Sequence, residues 1–245
     1  MLELLINGFE IDGYCSQEQS VFDLDRFDFN IYCSKNPQDT KTAGTLLSRD
    51  PDQWYIFMVR DGRDAIVSKH NAAPDRYWAN LMQWRRALAE AAPYIDHERF
   101  ITIKYETLTS DPNGIQGHLA DRMGFLILKS RFSDFHRTAA PSGQSLHAMR
   151  GIRPVSSQNV GAWRKHKPRV VAQLSLHGDI SDDLIRLGYE LDRQWINELA
   201  DVLPDMRAGF WNDFPSEAEK DVRETGIWKN AARYLALRGW RPIDQ

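Results

Sequence analysis

Three short stretches of the chain are rich in β-branched and aromatic residues, and each is followed by a turn and then by a helical pattern. They are "FNIYC" at residues 29–33, "WYIFMV" at 54–59 and "RFITIKY" at 99–105. Runs of this length, rich in β-branched and aromatic residues and bounded by turns, predict buried strands. Between the second and third, "PDRYWANLMQWRRALAEAAPY" sets Tyr77, Trp78, Leu81, Trp84, Arg85 and Leu88 at helical spacing, with Pro74 as a helix-start signal. Strands alternating with helices predict an α/β fold in three layers, a parallel sheet flanked by helices, with ligands outside the carboxyl ends of the strands.

After Phe125 the pattern loosens through a basic, Ser- and Gly-rich stretch, "SRFSDFHRTAAPSGQSLHAMRGIRPVSSQNVG", which predicts a long ordered loop. Helical periodicity returns from Ala162 to "LGYE" at 187–190, and residues 191–245 carry Trp195, Trp211, Trp228 and Trp240 at irregular spacing. The expected organisation is therefore one α/β domain over residues 1–190, with a helical, Trp-rich C-terminal extension over 191–245 packed on it.

Composition narrows the partners. A chain of 245 residues with 42% hydrophobic and 27% charged residues is that of a globular protein with a sizeable core. Its formal net charge of −3 gives no bulk attraction for nucleic acid or an anionic membrane, so any anion site must be local. No run approaches a membrane span and "MLELLINGFEIDG" lacks the features of a secretion signal, so a cytoplasmic location is expected. Cys15 and Cys33 are too few for a disulfide framework and read as reduced thiols. The seven histidines show no metal-ligand spacing, and no metal is expected.

The candidate chemistry lies in "YIFMVRDGRDAIVSKH", residues 55–70. Arg60 leaves the predicted strand at its carboxyl end, Asp61-Gly62 make the turn, and "RDAIVSKH" begins a predicted helix. Unpaired N–H groups at a helix start and a nearby guanidinium together favour an anion. Ser68, seven residues after Asp61, is expected on the same helix face, where its hydroxyl adds a hydrogen bond. The competing reading is a solvated surface network of Arg60, Asp61, Arg63 and Asp64. A protein-kinase loop is excluded, because Val59 stands where His is required and no Asp-Phe-Gly triplet occurs.

"VRDGRDAIVS" resembles the second signature of sulfotransferases that use 3′-phosphoadenosine 5′-phosphosulfate (PAPS). Three further stretches agree with the bacterial and tyrosylprotein-type branch, in order: "IYCSKNPQDT", "ITIKYETLTSDP" and "GIRPVSSQNVGAWRKHKP". The resemblance implies a P-loop-like fold, with Arg60 and Ser68 on the 3′-phosphate, Lys35 on the transferring sulfuryl group and Tyr105 near the adenosine. Arg153, Trp163 and Arg164 would belong to a loop closing over the 3′-phosphate, and Arg63 would be peripheral. PAPS would be the co-substrate, and a hydroxyl of a small molecule, glycan or peptide the acceptor.

The match covers roughly residues 29–190. Residues 1–30 are mostly acidic among their charged groups, with Arg26 the one basic residue, and contain no Gly-, Ser- and Thr-rich phosphate loop. The carboxylates available there as a general base are Glu10, Asp12 and Glu18. Two outcomes follow: an active sulfotransferase, or a non-catalytic relative or truncated fragment that binds a nucleotide or partner. A sheet lacking its central strand would expose an edge, to be covered by "LELLI" at 2–6, by the aromatic tail or by association into a homo-oligomer.

Overall fold

A computed structural model of the chain describes residues 1–15, 18–24, 28–70, 73–141, 143–149 and 151–239, except for the side chains of 144, 148 and 217–224. Arg26 and Trp240 lie outside the described residues. In chain order the elements begin with α1 (Leu2–Gly8), β1 (Gly13–Tyr14), β2 (Tyr32–Cys33), α2 (Ala43–Arg49), β3 (Tyr55–Val59) and α3 (Gly62–Ile66). There follow β4 (Lys69–His70), β5 (Ala73–Tyr77), α4 (Leu81–Ala91), β6 (Phe100–Lys104), α5 (Tyr105–Ser110) and α6 (Pro112–Arg122). Five helices complete the order: α7 (Phe135–Thr138), α8 (Gly143–Met149), α9 (Lys167–His177), α10 (Ser181–Arg186) and α11 (Glu217–Leu237). Among the described residues no helix is long and apolar enough to cross a membrane.

The class is α/β, with short strands that pair two by two: β1 with β2, β3 with β6 and β4 with β5. β1 and β2 are parallel, Gly13 facing Tyr32 and Tyr14 facing Cys33, and β4 and β5 are antiparallel. Two expectations change here. The first predicted strand shortens to Tyr32–Cys33, because Asp12 holds the backbone just before it: its carboxylate accepts from Asn30 N and Ile31 N at 2.9 and 2.8 Å. Pro74 does not start a helix but lies in β5, a place a proline tolerates in a two-stranded edge. The start signal of α4 is Asn80, whose Oδ1 accepts from Gln83 N at 2.9 Å.

The chain divides into two compact units. The first comprises residues 1–58, 90–155 and 215–245. Its main core places Leu4, Leu5 and Phe9 from the N-terminal helix region against Ile101 and Ile103 of β6, with Leu119, Phe132 and Phe135. "LELLI" is thus a helix whose apolar side shares this core with β6. A second cluster joins Val21, Phe22 and Leu46 to Ala231, Tyr234 and Leu235 of α11, with Tyr55 packed on it. Cys15 is buried, Cys33 half-buried, and both are free thiols; burial pushes the Cys33 thiol up to about 12, which leaves it unreactive.

The second unit comprises residues 59–89 and 156–214. It buries Ile66, Leu81, Trp84, Trp163, Val170, Ile180, Leu184 and Trp195. Leu81 N donates to Gln173 Oε1 at 2.8 Å, which ties the start of α4 to α9. Glycine is required at 62, because a Cβ there would lie 2.9 Å from the Trp84 indole.

Candidate functional site

The corner predicted at Arg60 exists in the second unit, with a different local logic. Trp84 Nε1 donates to the Arg60 carbonyl at 3.0 Å, fixing the backbone as it leaves β3. Asp61 caps α3, its carboxylate accepting from Arg63 N at 2.9 Å. That carboxylate already occupies the positive end of a helix only five residues long, so attraction for an anion at this corner comes from the guanidinium of Arg60 rather than from the helix. The Arg60 side chain is 23% exposed, with Nη2 2.7 Å from the Asn159 carbonyl and 3.9 Å from Asp64 Oδ2.

Ser68 is not on a helical face, since α3 stops at Ile66. Its hydroxyl donates to Ala65 O at 2.7 Å, a local bond that competes with continuation of the helix. Trp78 N donates to Ser68 O at 2.9 Å, closing the base of the β4–β5 hairpin.

Arg63, expected at the periphery, is the most enclosed charge of the corner, its side chain 3% exposed. Asp61 takes it in a fork, Nε to Oδ1 at 3.0 Å and Nη2 to Oδ2 at 2.7 Å, and Nη1 lies 2.6 Å from Glu190 Oε1. Its guanidinium also lies 4.5 Å from the Trp163 ring centroid and 4.7 Å from that of Trp195. Burial works against its charge, but the bonds to Asp61 and Glu190 prevail and raise its pKa.

Asp64 joins this corner to the late loop. Its Oδ2 accepts from Gly161 N at 2.7 Å and its Oδ1 from Trp163 N at 2.9 Å. Gly161 has φ +74°, the left-handed conformation that favours glycine. Burial raises the Asp64 pKa, and the two backbone donors oppose that rise. Trp163 is buried, and Arg164 stacks on it with its guanidinium 4.5 Å from the ring centroid. Arg164 is itself held by Glu198 at 3.1 and 3.0 Å.

The remaining predicted residues, Lys35, Tyr105 and Arg153, belong to the first unit. Lys35 is half exposed and its ammonium lies 2.7 Å from Glu18 Oε1. Gln19 N donates to Lys35 O at 3.0 Å, so the two segments run side by side. Ser20 donates to both oxygens of Asp39 at 2.8 and 2.9 Å, and Asn36 Nδ2 donates to Asp39 Oδ1 at 2.9 Å. Tyr105 begins α5 directly after β6. Arg153 is exposed and donates from Nη2 to Met149 O at 2.8 Å.

Asp39 makes a testable contribution. Burial pushes its carboxyl up to about 6 from 3.8, against the opposing bonds from Ser20 and Val21 N. The folded form therefore holds this proton more tightly than the unfolded chain. The corresponding stability is full below the unfolded value and is lost as pH rises through about 6. Asp39→Asn is expected to remove about 3 kcal/mol of pH-dependent stability across that window, measured by urea unfolding at a series of pH values.

Asp64, Arg63 and Glu18 are the residues that sequence reasoning undervalues. Glu18 carries only a weak signal, as one of seven acidic residues before the Lys35 strand. The enclosure of Arg63 depends on tryptophans about a hundred positions away and has no local signal.

The sulfotransferase family's sequence pattern matches residues 14–125, a span that includes Lys35, Arg60, Ser68 and Tyr105. Protein-tyrosine sulfotransferase 2 of Gallus gallus is 26% identical over 173 residues, covering 64% of this chain and 46% of that protein. The chain thus spans less than half the length of this curated relative. No solved structure matches it. Both matches support the resemblance to sulfotransferases, and the matched segment contains three of the four motifs that carry it.

Proposed function

We propose that the chain transfers a sulfuryl group from PAPS to a hydroxyl of a small molecule, glycan or peptide, on a three-layer P-loop-like scaffold. The observation that carries this reading is Arg60. Its guanidinium stands at the carboxyl end of a strand, its carbonyl is fixed by Trp84, and it lies inside the matched segment. A guanidinium so placed suits the 3′-phosphate, for which it would exchange its contact with the Asn159 carbonyl. Ser68 would turn its hydroxyl from Ala65 O to the same phosphate. Arg164, stacked on Trp163, would support the loop that covers it, with Arg153 at the loop's start and Tyr105 beside the adenosine.

Lys35 would stabilise charge on the departing 5′-phosphate as the S–O bond to it breaks and the bond to the acceptor oxygen forms. Glu18, 2.7 Å from that ammonium, is the carboxylate we assign to take the acceptor's proton. Lys35→Ala is expected to lower kcat about a hundredfold or more while nucleotide affinity changes little. Turnover equal to wild type would remove Lys35 from the reaction.

One observation favours a second reading, a non-catalytic binding module. Residues 1–30 contain no Gly-, Ser- and Thr-rich loop for the 5′ end of the nucleotide. Sulfuryl transfer by the purified chain would exclude this reading, whereas nucleotide binding without transfer would support it.

A further inference from the structure

We infer that the second unit carries another oxyanion site, formed by Lys69, Lys165 and Arg169 around the hydrogen-bonded pair of Tyr77 and His166, which takes a sulfate or phosphate group. The Tyr77 hydroxyl lies 3.1 Å from His166 Nδ1. The ammonium of Lys69 lies 5.6 Å from the Tyr77 ring centroid and the guanidinium of Arg169 5.2 Å from it. The segment "RKHKPR" at 164–169 has five basic residues in six and leads into α9, which has no side-chain cap and no acidic residue in its first turn. Cations at the positive end of an 11-residue helix oppose its dipole.

Neutralisation within the cluster is incomplete. Glu198 pairs with Arg164 and Lys167, and Asp205 pairs with Arg207. Among the described residues, Lys69, Lys165 and Arg169 make no ion pair within 4 Å, and the carboxylates that act on Arg169 from farther away, Asp213 and Asp205, are engaged by His177 and by Arg207. Arg169 is the independent observation: it is only 2% exposed, yet among the described residues its Nε has no hydrogen-bond partner and its sole hydrogen bond is a 3.3 Å contact from Nη2 to Ala79 O. A buried guanidinium so poorly satisfied is costly unless an anion completes it. The unpaired cations also act on His166, whose pKa is lowered by burial and then by Lys69 and Lys165. An anion seated among them would relieve that repulsion and move the His166 pKa back up.

This site shares no residue with the Arg60 corner and does not depend on sulfuryl transfer. The test follows the His166 ring by NMR across a pH titration of the intact chain, with chloride replaced by sulfate at constant ionic strength. Sulfate is expected to raise the His166 pKa in the wild type and in Arg60→Ala, and to leave it unmoved in the Lys69→Ala/Lys165→Ala double variant. Arg169→Met is expected to weaken sulfate binding about tenfold; the double variant, which changes only exposed residues, keeps the test decisive if Arg169→Met does not fold. Phenyl sulfate and inorganic sulfate form two arms; tighter binding of either supports the site and identifies its source as an ester or the free ion. A His166 pKa indifferent to sulfate, an equal rise in the double variant, or loss of the rise in Arg60→Ala would overturn the inference.

Discussion

Arg63→Ala is expected to destabilise the second unit by about 3–5 kcal/mol, the usual cost of removing one partner from a buried ion pair. The substitution leaves Asp61 and Glu190 without the guanidinium that each contacts within 3 Å. It also removes the cation packed against Trp163 and Trp195, two rings that meet edge to face at 6.0 Å. Arg63→Lys is expected to restore little of the loss, because an ammonium cannot fork to Asp61 and stack flat on indoles at once. Urea unfolding with tryptophan fluorescence measures both variants. A loss below about 1 kcal/mol would place Arg63 with ordinary surface ion pairs.

Asp64→Ala is expected to cost about 3 kcal/mol, from two charge-assisted hydrogen bonds to a carboxylate only 1% exposed. The loss is local in kind, because the backbone donors set free are Gly161 N and Trp163 N. Amide hydrogen exchange should therefore quicken at 159–164 well before the unit unfolds. Asp64→Asn is expected to recover only part of the effect, since its amide nitrogen faces a backbone N–H where an acceptor is needed. The pH dependence has a defined sign: burial raises the Asp64 pKa, so its protonation-linked stability is greatest in acid and is lost as pH rises through the raised value. Unchanged exchange at 159–164 in Asp64→Ala would show that the loop is held by other contacts.

The sequence is most legible where structure is local. The runs at 54–59 and 99–105 are the strands Tyr55–Val59 and Phe100–Lys104, and Arg60 does leave the first at its carboxyl end. Helical periodicity after Ala162 corresponds to α9 and α10. Legibility fails where a side chain competes with the backbone or a partner lies far along the chain. Periodicity puts Ser68 on a helix that its own hydroxyl helps to end, and Pro74 on a helix that Asn80 begins six residues later. Arg63 reads as one of four surface charges because nothing near it in sequence announces Trp163, Trp195 or Glu190. In the candidate site, residue types are readable from the motifs, whereas their commitments are not. Arg60 is engaged by Asn159, Arg164 by Glu198 and Lys35 by Glu18, and each contact is non-local.

The assignment of Arg60 to a 3′-phosphate is the claim on which the proposed function rests. Calorimetry with 3′-phosphoadenosine 5′-phosphate and with adenosine 5′-phosphate, on the wild-type chain and Arg60→Ala, tests it directly. The 3′-phosphorylated nucleotide is expected to bind the wild type and to be weakened about a hundredfold by Arg60→Ala, while adenosine 5′-phosphate is nearly unaffected. Equal weakening of both nucleotides, or no binding of either by the wild type, would contradict it.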